Sequence, residues 1–186
     1  MKKYQIIYAD PPWKYNDKRQ RPESDRPARY GGITYPVMDT QAISNLGISL
    51  RSYLAEDCML FMWATFPNIA EALRVIRDWG FEYKTLGFSW IKTNKENGKP
   101  FFGIGYYTKS NCEVCLLGVR GKPFKVSNKV SSVLISPING HSRKPDEARQ
   151  RIVELCGDVP RIELFARQKT EGWDVWGNEI ESDIEL

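Results

Sequence analysis

A chain of 186 residues, 41% hydrophobic and 12% aromatic, is long enough for one packed domain and too short to suggest two, so residues 1–186 are expected to form a single globular unit. The first residues reach Asp10 before any apolar run of signal-peptide length, and no later stretch approaches the roughly 20 apolar residues of a membrane span, so a soluble, cytoplasmic protein is expected. The formal charge of +4 is mild but clustered. Lys14, Lys18, Arg19, Arg21, Arg26 and Arg29 crowd one segment, Arg120, Lys122, Lys125 and Lys129 a second, and Arg143, Lys144, Arg149 and Arg151 a third. Such clusters suit a polyanionic partner, although charge runs are more often a solvated face.

In chain order, residues 5–9 form a short apolar run that stops at Asp10-Pro11-Pro12, the pattern of a buried strand opening into a loop. Residues 14–34 are basic, with prolines, a Gly31-Gly32 pair and no period. A loop of that length is usually functional or disordered. Asp39 or Thr40 caps a predicted helix running to about residue 54, with Ile43, Leu46, Leu50 and Leu54 on one face. Residues 58–63 read as a second buried strand. Pro67 and Asn68 open a second helix with Ile69, Leu73 and Ile76 inward, ended by Gly80.

Residues 81–91 and 113–119 read as further strands, separated by a polar, glycine-rich and aromatic stretch at 92–110. After a short apolar run at 130–135, Lys144-Pro145-Asp146-Glu147 begins a helix with Ala148, Ile152 and Leu155 inward and Gly157 as its stop. A last strand covers 161–166. Strands alternating with helices indicate an α/β domain on a largely parallel sheet, whose ligands bind beyond the carboxyl ends of the strands. Asp10 and the residues after Phe165 both occupy that rim.

Of the four cysteines, Cys112 and Cys115 form a C-x-x-C. A zinc or redox site would need a second pair, which isolated Cys58, Cys156 and the single histidine His141 do not supply, so two inward-facing strand or strand-edge cysteines and no metal are expected. Gly103-x-Gly105 follows no strand-to-helix pattern and reads as loop rather than as a dinucleotide fingerprint.

Asp10-Pro11-Pro12-Trp13 carries the chemistry. The prolines lack an N–H and fix φ, so the turn offers an aspartate and carbonyl oxygens as a rigid acceptor site. An exocyclic amine on a purine becomes more nucleophilic when two acceptors draw its hydrogens out of the ring plane, and the Asp10 carboxylate and Pro11 carbonyl are candidates for that pair. Trp13 is the candidate to stack on the base. The alternative reading of the tetrapeptide is a turn capped by Asp10 with Trp13 in the core.

The whole chain resembles the D-P-P-W adenine methyltransferase family, which includes the eukaryotic messenger-RNA adenine methyltransferases and bacterial and phage relatives. The likeness runs in the family's order through Asp10 to Trp13, Tyr35 with Met38, residues 60–65, 90–94 and 113–119, Arg143 to Glu147, residues 162–167, and Gly172-Trp173 followed by Gly177-Asn178-Glu179. It implies a Rossmann-like S-adenosylmethionine-dependent methyltransferase fold in permuted order, the catalytic motif preceding the cofactor-binding segment. It also implies Asp10 beside the sulfonium, with Lys144, Glu163, Phe165 and Arg167 around the donor and Asn178 and Glu179 toward its ribose. Gln168 and Lys169 depart from the histidine and asparagine of some members, so that contact does not carry over.

The expected reaction is direct methyl transfer from S-adenosylmethionine to the 6-amino group of adenine, with DNA preferred over RNA as the substrate. Lys14, Tyr15, Lys18, Arg19, Arg29, Tyr30 and Lys109 are the candidates for gripping the strand, together with the aromatic stretch at 101–109. Two rivals are a non-catalytic nucleic-acid-binding subunit, which would tend to lose the acid or aromatic kept here, and a protein-amide methyltransferase, which would carry an N-P-P-Y-type turn. The oligomeric state stays open between monomer and homodimer, as does a protein partner.

Overall fold

Apolar residues of both parities fill the first two strands, as strands covered on both faces require. β1 (Tyr4–Ala9) sends Ile7 and Ala9 into one buried cluster and Ile6 and Tyr8 into another. β2 (Leu54–Ala64) alternates in the same way, with Leu60, Met62 and Ala64 on one side and Met59, Phe61 and Trp63 on the other. The first cluster is covered by α1 (Thr40–Leu50) and α2 (Ile69–Asp78), through Ile43, Leu50, Ala72, Val75 and Ile76. The second is covered by α3 (Asp146–Cys156), through Ala148, Ile152 and Cys156. Three layers result, with the sheet in the middle. This computed structural model describes residues 2–14, 36–103, 105, 107–123, 125–139 and 143–186.

The remaining strands are β3 (Glu82–Thr93), β4 (Cys112–Arg120), β5 (Val133–Pro137), β6 (Arg161–Leu164) and β7 (Asp174–Trp176). They join one seven-stranded sheet in the order β5-β3-β4-β2-β1-β6-β7. β4 is antiparallel to both β2 and β3, while β1 to β2, β1 to β6, β6 to β7 and β3 to β5 are parallel. The sheet is therefore mixed, with one strand reversed. From β1 the chain moves to β2 on one side, and it returns through β6 on the other. The strand order reverses between β1 and β6, which opens a crevice at their carboxyl ends, the place where open α/β sheets bind ligands. Asp10 follows the tip of β1 and Phe165 the tip of β6.

Several expectations are corrected. The first helix stops at Leu50 rather than near 54, because Leu54 is needed to pair with Tyr4 at the start of the β1 and β2 ladder, and a 3-10 turn at Arg51–Tyr53 makes the change of direction. Its start is as expected, Asp39 accepting from the Ala42 N–H at 2.7 Å. α2 buries Ala72, Val75 and Ile76, with Ile69 and Leu73 half-buried beside them. The two helices approach closely at Gly47, where a Cβ would stand 2.6 Å from Trp79 Cδ1. Trp79 in turn donates its indole N–H to the Ile43 carbonyl at 2.9 Å. Cys112 and Cys115 are three residues apart on β4, so they point to opposite faces; Cys112 is the half-buried first residue of the strand and Cys115 is fully buried within it. Among the described residues no helix is long and apolar enough to cross a membrane.

Candidate active site

The Asp10-Pro11-Pro12-Trp13 segment leaves β1 and is pinned on both sides. The Pro11 carbonyl accepts from the Trp13 N–H at 2.8 Å, and the Pro12 carbonyl accepts from the Met38 N–H at 2.9 Å. Lys14 N–H then donates to the Met38 carbonyl at 3.2 Å, so Met38 joins the motif through an isolated parallel bridge to Trp13. Trp13 is only 6% exposed, packs in the first core cluster and donates its indole N–H to the Trp63 carbonyl at 2.9 Å. Trp13 holds the turn onto β2 and at the same time lines the cavity beside Asp10. The expected acceptor turn is also not without competing donors, because the Trp13 N–H already takes one lone pair of the Pro11 oxygen.

Asp10 is met by Lys144, which precedes α3 and whose Nζ donates to both carboxylate oxygens, at 2.8 and 2.7 Å. The same Nζ lies 3.2 Å from Glu113 Oε2 on β4, and Glu113 Oε1 accepts from Lys92 on β3. Acid and base alternate along this row, so each charge is balanced, and Lys144 stands 5.6 Å from the Trp63 ring centre. Burial pushes the Asp10 carboxyl above its ordinary value, against the opposing pull of the Lys144 ammonium. Glu113 is held below the usual carboxylate range, since its two lysines outweigh its burial. Lys144, although buried, is raised because two carboxylates stabilise its charge. The outcome is a carboxylate with unused lone pairs and an elevated proton affinity, facing a cavity.

Two cavities meet here, sharing Asp10, Lys144 and Arg167. One is walled by the Asp10 to Trp13 turn, the β2 end at Trp63 to Thr65, and Glu113. The other, of about 270 Å³, lies over β1 and β6 and is lined by Tyr8, Asn139, Arg143, Arg149, Glu163, Phe165 and Gln168 besides the shared three. Its floor is a buried ion pair: Arg149 donates from Nε and Nη2 to the two Glu163 oxygens, both at 2.7 Å. Phe165 adopts φ 61°, a left-handed conformation rare for an aromatic residue, and meets Trp176 edge-on at 5.3 Å. Asn178 and Glu179 follow β7 and are exposed, Glu179 reaching the cavity through Arg167 at 3.8 Å. The close fit of Gly177, whose Cβ would lie 2.1 Å from the Ala166 carbonyl oxygen, brings these two ends together.

Asp10, Lys144, Glu163, Phe165 and Arg167 are therefore assembled in one place from three chain regions. Lys14 and Lys109 are exposed on the same edge of the sheet, one after β1 and the other on the hairpin between β3 and β4. Tyr15, Lys18, Arg19, Arg29 and Tyr30 lie outside the described residues. Of the basic clusters, the one at 120–129 follows the reversed β4 and sits at the opposite edge, where Arg120 pairs with Cys58. In the 143–151 cluster, Lys144, Arg149 and Arg151 are absorbed by ion pairs with Asp10, Glu163 and Glu147. Among the described residues no group of histidine, cysteine or acid side chains could hold a metal. Sequence reasoning passed over Glu113, Lys92 and Arg149 as site residues. For Glu113 a signal existed, a lone acid opening an otherwise apolar strand.

A part-buried aspartate thus lies at the switch point of a seven-stranded sheet with one reversed strand, between two confluent cavities, an arrangement that an α/β methyltransferase fold accommodates. Residues 4–179 match the MT-A70 family, and the chain belongs to it. It is 35% identical to the Type II methyltransferase M.MunI of a Mycoplasma species, an alignment spanning all of this chain and 82% of that protein. It is 26% identical to the human N(6)-adenosine-methyltransferase catalytic subunit METTL3 and 25% to the Drosophila melanogaster N(6)-adenosine-methyltransferase MT-A70-like protein. Those two alignments cover 96% of this chain but only 28% and 27% of the longer relatives.

Proposed function

We propose that this chain transfers a methyl group from S-adenosylmethionine to the exocyclic 6-amino group of adenine in DNA. The observation that carries the reading is the Asp10 carboxylate, fixed at the tip of β1 where the two cavities join. Residues 1–186 act as one methyltransferase domain, in permuted order. β1 with the catalytic turn comes first, whereas β6, β7 and the second cavity come last, and the sheet brings the two next to each other. The cytoplasm suits four free thiols, three of them buried.

The residues around the larger cavity fit the donor. A zwitterionic amino acid end needs cations and an acid, and Lys144, Arg143, Arg167 and Asp10 supply them. Phe165 supplies an apolar wall, and Asn178 with Glu179 supply acceptors for ribose hydroxyls. When bound, the donor supplies an electrophilic methyl group on a sulfonium. Asp10 accepts one hydrogen of the adenine amine and the remaining lone pair of the Pro11 carbonyl accepts the other, drawing the nitrogen lone pair out of the ring. Asp10, with its raised proton affinity, then holds the proton lost from nitrogen or passes it to water. Lys144 keeps the Asp10 carboxylate oriented, and Glu113 and Lys92 keep Lys144 in place.

DNA is preferred because the chain resembles the compact bacterial and phage members over its length. RNA is the second reading, favoured by the adenosine-methyltransferase relatives that align with nearly all of this chain. The test is transfer of labelled methyl from S-adenosylmethionine to unmethylated DNA and RNA, with nucleosides resolved afterwards and Asp10→Ala run in parallel. The expected product is 6-methyladenine in DNA, absent with Asp10→Ala while circular dichroism shows the fold retained, Glu113 still balancing Lys144. Product in RNA alone overturns the substrate, and activity retained in Asp10→Ala overturns the mechanism.

A further inference from the structure

The Asp10 carboxylate is part-buried where the two cavities join, and an adenine amine held in a duplex stack reaches such a site only by leaving the stack. A flipped base leaves a gap, and proteins that unstack nucleic acid commonly fill it with a rigid apolar side chain. Trp13 and Trp63 are unable to do this, being 6% and 0% exposed and joined by a hydrogen bond. The wall of the inner cavity ends at Thr65, and the next residue, Phe66, is 56% exposed.

Phe66 is held more firmly than an exposed apolar residue needs to be. It begins a 3-10 turn, Phe66–Asn68, in which the Asn68 N–H donates to the Thr65 carbonyl at 2.9 Å and the Asn68 side-chain amide donates to Thr65 Oγ1 at 3.1 Å. Asn68 is itself 5% exposed, a polar side chain buried where it closes this turn. Pro67 has a fixed φ and is exposed beside Phe66. Rigid β2 on one side and α2 on the other thus present a Phe-Pro pair to solvent, one residue beyond the cavity-lining Thr65.

Resting on the reading that the substrate is DNA, we propose that Phe66 is the positioning residue for base extrusion, entering the stack beside the target adenine and occupying the space it vacates. A duplex needs this service and a strand without partner bases needs it far less, so the effect of removing the ring depends on strandedness. A ring that served only as general surface or as part of the core would not show that dependence.

The experiment measures kcat/KM for wild type, Phe66→Ala and Phe66→Trp on one unmethylated plasmid DNA, duplex and heat-denatured, beside thermal melts of all three proteins. The duplex-to-denatured ratio is expected to fall about tenfold in Phe66→Ala and to be restored by Phe66→Trp, with coincident melts. A ratio unchanged in Phe66→Ala, whether both activities hold or both fall together, overturns the wedge, and so does a ratio that Phe66→Trp fails to restore. Wild type inactive on both DNA forms instead sinks the DNA reading on which the wedge depends.

Discussion

At the scale of single residues the site turns on how Asp10 is charged. Its carboxylate must be ionised to accept a hydrogen from the adenine amine, and burial holds its pKa above the ordinary 3.8 despite the Lys144 ammonium. Activity is therefore lost as the pH falls through that raised value, and the acid limb of kcat/KM stands at higher pH than an exposed aspartate would give. Lys144 is raised as well and stays protonated throughout, so it adds no limb near neutrality. A profile recorded from pH 4 to pH 8 on a saturating donor checks this, and the absence of an acid limb within that range opposes it. The aspartate itself was legible in the sequence as an acid ending an apolar run. Its partner was reached only through the family resemblance, since Lys144 is 134 residues away and a lysine in a basic cluster looks like surface until the sheet closes.

At the scale of elements, α3 is tied to β6 by Arg149 and Glu163, whose side chains are 10% and 8% exposed. Removing one partner leaves the other charged and buried, which costs about 3–5 kcal/mol, whereas replacing both by apolar side chains can be neutral or stabilising. Arg149→Met is expected to lower stability by that amount in denaturant unfolding, and Arg149→Met with Glu163→Leu to recover most of it. A single variant as stable as wild type would mean that the pair carries no stability. Elements built from local signals were the readable ones, such as α1 from its Asp39 cap and α3 from its stripe and Gly157. β7 escaped because three residues show no period and exist as a strand only through pairing with β6. The reversal of β4 had a signal that went unused. Among the described residues no helix lies between 93 and 112, and a parallel return requires a long crossover, usually helical.

At the scale of the molecule, the mild net charge conceals an asymmetry that only the fold exposes. The carboxyl edge of the sheet, with the catalytic turn, carries Lys14 and Lys109 in exposed positions, whereas Lys122 and Lys125 lie with Arg120 at the opposite edge. Lys14 and Lys122 sit in basic clusters that look alike in the linear sequence, and strand direction decides which edge each one joins. A lysine that contacts phosphate releases counterions on binding, and its loss reduces the slope of log K against log salt by about one. Lys14→Ala and Lys109→Ala are each expected to lower that slope by about one and to weaken binding uniformly across sequences. Lys122→Ala with Lys125→Ala should leave it unchanged. Fluorescence anisotropy titrations of labelled duplex DNA across a range of salt concentrations measure all of these. Equal losses from both edges would place the nucleic acid over the whole surface rather than along the catalytic rim, and would remove the argument that the rim orients the target strand toward Asp10.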